Sequence, residues 1–140
     1  MNKLDKFTFD ELINKASEAY ENKTALSCID CEPITYSKLK LQVLAVSNFL
    51  KDQGISPGDK VAILSENSPN WGIAYFAVTS MGAIVVPIMT EFHTSEVHHI
   101  IRHSESKAIF VSTKFYHKIE ELNNGVFPLS ILIDDFSAIP

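Results

Sequence analysis

Lys60-Val61-Ala62-Ile63-Leu64-Ser65, followed by Glu66-Asn67-Ser68-Pro69-Asn70-Trp71 and then by Gly82-Ala83-Ile84-Val85-Val86-Pro87-Ile88, decides the fold. The first six residues are a nearly continuous apolar run, as a strand covered on both faces requires. Ser68-Pro69 reads as a helix N-cap with proline at the first helical position. Ile84-Val85-Val86 is β-branched and strand-like. Strand, buried helix, buried strand (Ala83–Ile88) is therefore the expected unit. Trp71 to Thr90 is a run of twenty residues without a charge, about the length of a bilayer span. Gly82-Ala83 and Pro87 divide that run, and the nearest basic residues, Lys60 and Arg102, lie too far off to anchor it in a membrane.

Outward from this unit, helical and extended patterns alternate. Ser56-Pro57-Gly58-Asp59 places Pro and Gly at the two centres of a type II turn leading into the Lys60 strand. Before it, Thr35 caps a helix whose stripe is Leu39, Val43, Val46 and Leu50, and Gly54 takes the left-handed position past its end. Earlier still, Thr8 with Glu11 forms a capping box ahead of Leu12, Ile13, Ala16, Ala19 and Tyr20. Thr24 to Cys31 reads as extended, Cys31-Glu32-Pro33 as a turn, and Ile34-Thr35-Tyr36 as a short return strand. Downstream come a helix over about Ser95–His103, a strand Lys107–Val111, an amphipathic stretch Thr113–Leu122 and a last strand Ser130–Ile133. The expected fold is α/β: a mostly parallel sheet with helices on both faces, an N-terminal helix and a short antiparallel hairpin. Residues 61–101 carry only Glu66, Glu91 and Glu96 as charges, against seventeen in the opening sixty, which puts the middle of the chain at the sheet centre.

Composition narrows the class. The 140 residues are 46% hydrophobic with a net charge of −5, too apolar for disorder and too acidic for a nucleic-acid surface. Two cysteines cannot build a disulfide scaffold, and no secretory h-region opens the chain at Met1-Asn2-Lys3-Leu4-Asp5-Lys6, so a cytoplasmic protein is expected.

Few residues offer chemistry. The five glycines (Gly54, Gly58, Gly72, Gly82, Gly125) form neither a dinucleotide fingerprint nor a Walker loop, and no G-x-S-x-G elbow presents a serine. Cys28-Ile29-Asp30-Cys31 is a lone C-x-x-C closing an extended segment, where residues three apart face opposite ways. Two ordinary small apolar side chains are expected there. Glu96, His99 and His103 share a helix face at metal-ligand spacing. That face lies well away from the buried one of Val97, Ile100 and Ile101, so it reads as solvated, with at most adventitious metal. Asp134-Asp135 follows the last strand, at the sheet edge where α/β folds bind ligands, and reads as a loop of solvated acids.

Four stretches together resemble the N-terminal part of the AMP-forming, or adenylate-forming, acyl-CoA synthetase family. Ile34-Thr35-Tyr36-Ser37-Lys38-Leu39 is similar to its first core motif, a Thr-Tyr pair opening a helix. Gly54-Ile55-Ser56-Pro57-Gly58-Asp59-Lys60-Val61-Ala62-Ile63 resembles its G-x-x-x-G-D-x-V-A strand entry. Glu66-Asn67-Ser68-Pro69-Asn70-Trp71 and Gly82-Ala83-Ile84-Val85-Val86-Pro87-Ile88 resemble its E-N-x-x-x-W helix start and G-A-x-x-V-P strand. Each is weak alone; in this order, across about Thr24 to Val111, they are specific. The tryptophan and the Val-Pro-Ile ending favour long-chain fatty-acid–CoA ligases. Met89-Thr90-Glu91-Phe92 stands where the family usually has another proline.

The resemblance implies that residues 1–140 are an N-terminal subdomain of an AMP-binding (adenylation) domain. The intact enzyme would join ATP, a fatty acid and coenzyme A with Mg²⁺, giving acyl-CoA, AMP and pyrophosphate. The family's phosphate loop, adenine motif, ribose-binding Asp and catalytic Lys belong further along such a chain. So no catalytic, cofactor-binding or metal residue is assigned here and the 140 residues alone are expected to be inactive. Thr35 caps, Gly58 turns, Trp71 fills core and Pro87 ends a strand. Expected partners are the remainder of its own chain and the fatty acid, with room for a homo-oligomer and for peripheral membrane attachment of the intact enzyme; nucleic acid is not one. The rival readings are a stand-alone α/β binding module, an adenylate-forming ligase for a different acid, and a histidine-ligated metalloprotein.

Overall fold

The computed structural model describes residues 4, 6–29, 31–123 and 129–139; Met1–Lys3, Asp5, Asp30, Gly125 and Pro140 from the motifs above lie outside them. Helix α1 (Phe9–Ala19) precedes a hairpin of β1 (Thr24–Leu26) and β2 (Ile34–Thr35). Then follow α2 (Tyr36–Asp52), β3 (Lys60–Leu64), α3 (Pro69–Ser80), β4 (Ile84–Pro87), α4 (Thr94–Ser104) and β5 (Ala108–Val111). Two 3-10 turns (Thr113–Lys118 and Glu120–Asn123), β6 (Ser130–Leu132) and β7 (Ala138–Ile139) complete the order. The hairpin is a separate two-stranded antiparallel sheet, and the main sheet runs β4-β3-β5-β6-β7. Its first four strands are parallel; β7 returns antiparallel to β6.

Local chemistry sets the element starts. Thr8, Thr35 and Ser68 each accept a backbone N–H three residues on with their side-chain oxygen, at 3.3, 3.2 and 3.2 Å. The capping box is only half built: Glu11 reaches past the cap to accept the amide of Lys6 and pairs with Lys15 at 3.1 Å. Gly54 and Gly58 hold φ of +85° and +86°, as the helix end and the turn require.

Strand alternation then divides the core in two. Val61, Ile63, Ala108, Phe110 and Ile131 point toward α1–α3, joining Leu39, Val43, Val46 and Leu50 of α2. Ala62, Leu64, Ile109 and Val111 point the other way, toward Val97 and Ile101 of α4, Ile119 between the two 3-10 turns and Leu122 in the second. Each fully buried Leu, Ile or Phe contributes about 1.5–3 kcal/mol, so β3 and β5, buried on both faces, are the sheet's main source of stability.

Three expectations need correction. β4 is an edge strand, with Ile84 49% exposed, because the chain crosses β3 after β4 and builds the sheet on its other side. Trp71 packs against the core but is only half-buried, stacked on Tyr75 at 5.4 Å between ring centroids, because its other side lines an open groove. The amphipathic stretch after β5 takes the form of two 3-10 turns. Finally, Cys28 and Cys31 are joined in a disulfide. Strand β1 stops at Leu26, so the cysteines sit in a turn with their Cα atoms 5.4 Å apart, and face alternation does not separate them. Strand β7 had no counterpart in the sequence reading.

The amino-terminal edge of the sheet is fastened by Asp59. Its carboxylate pairs with Lys107 at 2.7 Å and accepts the Ser56 amide at 2.8 Å, which together hold its pKa below the usual carboxylate value. The Gly58 amide donates to the Gly82 carbonyl at 2.9 Å, joining the turns that precede β3 and β4. Both glycines have left-handed φ, but a Cβ on Gly58 meets nothing within 4 Å, whereas one on Gly82 meets the Pro57 Cβ at 3.3 Å. We expect Gly58→Ala to cost about 1–2 kcal/mol from conformation alone, and Gly82→Ala to cost more. Urea-unfolding midpoints check this, and equal losses would refute the close-approach argument.

Candidate functional site

In open parallel sheets, ligands lie outside the carboxyl ends of the strands, where successive connections pass to opposite faces. Here that point lies between β3 and β5: α3 leaves β3 over one face and α4 reaches β5 over the other. The segments converging there are Ser65–Ser68 after β3, Ser112–Lys114 after β5 and Ile133–Asp135 after β6.

These segments are tied together by side chains. Ser112, buried at the end of β5, donates its hydroxyl to the Glu66 carboxylate at 2.6 Å, and its amide to the Leu64 carbonyl at 3.2 Å. Ser65 donates to the Glu66 carbonyl at 2.9 Å and lies 3.4 Å from the carboxylate. The Ser112 hydrogen bond is the largest of the causes holding the Glu66 pKa below its ordinary value of 4.5; partial desolvation opposes it, and the backbone, Lys114 and Ser65 add to it. Asn70, in the first turn of α3, donates its side-chain amide to the Ile133 and Asp134 carbonyls at 2.8 and 2.9 Å. Asp134 accepts the Thr113 amide at 2.9 Å and its hydroxyl at 3.2 Å. Asp135 accepts from Ser137 at 2.9 Å (amide) and 2.6 Å (hydroxyl), which lowers its pKa. The two aspartates are exposed, as a loop of solvated acids should be; Asp134 in addition ties its loop to Thr113, and Asp135 accepts from Ser137 within the loop.

An open groove of about 430 Å³ runs beside this network between Glu66-Asn67, Trp71 and the segment Pro87–Glu91 after β4. Its far wall is fixed by Lys118, whose ammonium donates to the Thr90 and Phe92 carbonyls at 2.7 Å each. His98 in turn contacts the Lys118 carbonyl at 2.9 Å. The other histidines do not converge on the groove. His99 and His103 stack with centroids 5.7 Å apart on the exposed face of α4, and the Glu96 carboxylate accepts the His93 amide at 2.8 Å. Among the described residues no group of three His, Cys, Asp or Glu could hold a metal ion.

Chemically, this edge supplies a shaped, polar rim. Glu66 and Asp134 are already acceptors for protein donors. The left-handed glycines Gly54, Gly58 and Gly82 stand at the opposite edge, so among the described residues no left-handed glycine lines this rim. The fold and rim define an open parallel α/β sheet with a polar, side-chain-fastened carboxyl edge.

Comparison with known proteins makes the class specific. The family model described as AMP-binding enzyme matches residues 13–137, and the chain belongs to that family. It is 31% identical over 113 residues to the crotonobetaine/carnitine–CoA ligase of Salmonella paratyphi A, covering 78% of this chain and 22% of the relative. It is 28% identical over 123 residues to 4-hydroxybutyrate–CoA ligase 2 of Metallosphaera sedula, covering 88% of this chain and 22% of the relative. Among solved structures, coronafacic acid ligase from Pectobacterium brasiliense superposes with a TM-score of 0.85 at 25% identity, over 91% of this chain and 26% of that one. The anthranilate–CoA ligase in complex with anthranoyl-AMP gives 0.86 at 24% identity, over 96% and 26%. The chain therefore spans about a fifth of the length of these curated relatives. No helix among the described residues is long and apolar enough to cross a membrane.

The lowered Glu66 pKa has a definite sign. Its contribution to stability is present above 4.5 and is lost as pH falls through the folded-state value. Ser112→Ala removes the largest cause. We expect the Glu66 pKa to rise toward 4.5 and the acid-side loss of stability to shrink, read by carboxyl NMR titration and acid unfolding. An unmoved Glu66 titration would show that the hydrogen bond does not set it.

Proposed function

We propose that this chain is the N-terminal part of an AMP-forming acyl-CoA ligase, and that the intact enzyme acts on a long-chain fatty acid. AMP-forming CoA ligases as a class use ATP, Mg²⁺ and coenzyme A. In such a reaction a carboxylate displaces pyrophosphate to give an acyl-adenylate, which the CoA thiolate then attacks. The observation that carries the reading is the ordered set of four motifs, Ile34–Leu39, Gly54–Ile63, Glu66–Trp71 and Gly82–Ile88, inside the matched residues 13–137.

Within this portion the residues do not fit a triphosphate or its metal, so no step of the reaction is assigned to them. Their role is to build the sheet and the rim. Glu66, Ser112 and Asn70 fasten the loops after β3, β5 and β6, so that groups supplied by the rest of a ligase could meet a fixed edge. Cationic and N–H donors that stabilise charge on the transferring phosphate would come from that remainder. The fatty-acid assignment rests on Trp71 following Glu66-Asn67 and on Val86-Pro87-Ile88, and a cytoplasmic location goes with it.

ATP–pyrophosphate exchange tests both levels. We expect none above background from the 140-residue chain. The longer polypeptide read from the same gene should catalyse exchange faster with palmitate than with 4-hydroxybutyrate or crotonobetaine. Exchange by the short chain would overturn the inactive-part reading, and preference for a short acid would overturn the long-chain assignment alone.

A further inference from the structure

Helix α2 buries one apolar stripe, and its other side mixes apolar residues with Lys38, Asn48 and Asp52, with Phe49 partly buried at the margin. Leu39, Val43, Val46 and Leu50 are buried against the sheet and its neighbours. On the other side Leu41, Ala45 and Phe49 recur at four-residue spacing, with Leu44 beside them; Leu41 is 65% and Leu44 52% exposed. Beside the outer stripe lies an apolar groove of about 290 Å³ formed by Gln42, Ala45, Val46, Phe49 and Phe136. Phe136 comes from the turn between β6 and β7 and is set in place with φ +61° and an edge-to-face contact on Phe110, centroids 6.0 Å apart. In the same place the Gln42 Oε1 is buried and has no hydrogen-bond partner among the described residues. A buried acceptor without a donor is costly, so the groove is both apolar and short of one N–H or O–H.

We propose that this groove on α2 is a docking surface for the polypeptide that follows residue 140 in the intact ligase, which inserts an apolar side chain against Ala45, Phe49 and Phe136 and donates a hydrogen bond to Gln42. The proposal rests on the reading of this chain as part of a longer ligase. The choice of occupant follows from length: the matched region is 22% of the curated relatives and 26% of two solved ligases, so most of such an enzyme lies outside these residues. The occupant's chemistry follows from the groove, which calls for an apolar side chain next to a donor and no charge.

The test compares two chains, the 140 residues and the longer polypeptide from the same gene, each with Ala45→Arg and Gln42→Leu. Ala45 is exposed in the present structure, so Ala45→Arg should leave the short chain's melting midpoint within about 1 °C and lower the longer chain's by roughly 3 °C or more. Gln42→Leu should leave the short chain unchanged or more stable, because it removes an orphaned acceptor, and should destabilise the longer one by stranding the donor. Equal responses of the two chains to Ala45→Arg would overturn the proposal. So would a dimer of the longer chain that Ala45→Arg dissociates, which would make a second copy the occupant, or a gene that ends at residue 140. A longer chain that shows the differential response but no ATP–pyrophosphate exchange would keep the docking surface and remove the ligase reading.

Discussion

Everything in this structure depends on β3 being enclosed on both faces. Val61 and Ile63 are buried toward α1–α3, and Ala62 and Leu64 are buried toward α4 and the 3-10 turns. A five-residue strand with no polar face has no stable position at the surface. It obliges the chain to place one helix layer on each side and a hydrogen-bonded neighbour along each edge. The connection after β3 supplies β4 on one edge, and the next connection crosses to supply β5 on the other. The switch point, and with it the place where a ligand edge forms, is a consequence of that double burial.

The two ends of the sheet solve different problems. At the amino end the turns must be tight, and close backbone approach is obtained with Gly58, Gly82 and the Asp59–Lys107 ion pair. At the carboxyl end the loops must be wide enough to leave a rim, and side-chain hydrogen bonds replace backbone ones. Ser112 to Glu66, Asn70 to the carbonyls after β6, and Thr113 to Asp134 each join loops from different strands. The resulting edge is rigid in its fastening and open in its shape. Polar residues here serve position, which explains why the carboxylates Glu66 and Asp134 at this edge have protein donors as their partners.

Legibility in the sequence followed locality. The caps at Thr35 and Ser68, the turn at Gly58 and the buried stripe of α2 are all fixed by residues within one or two helical turns, and they stand where the pattern put them. What was not legible depends on partners far along the chain. Whether Ile84–Pro87 is central or an edge is decided by where β5 lies, which no local pattern encodes. The Cys28–Cys31 bond depends on β1 ending five residues earlier than the extended pattern suggested. The rim behaved similarly: Glu66, Ser112 and Asn70 are ordinary polar residues until the topology brings positions 46 and 63 residues apart into contact. Two-residue β7 carries too few side chains for any period to register.

The uncharged run from Trp71 to Thr90 is accounted for by the same topology. Helix α3 has twelve residues, about 18 Å of helix at 1.5 Å per residue, little more than half of a bilayer core. Its lack of charge reflects neighbours on several sides: the sheet, α2 and α1, whose Phe9 packs edge-on to both Tyr75 and Phe76. The run then passes into β4, where burial ends but charge does not return. Edge strands in soluble proteins are usually guarded by lysine, proline or a bulge. β4 has only Pro87, at its last position, and leaves Ile84 half in water. An absence of charge that burial explains over α3 is left unexplained over β4 by the residues around it. Together with the apolar groove beside α2, β4 is where this member of the AMP-binding family presents apolar side chains at its surface.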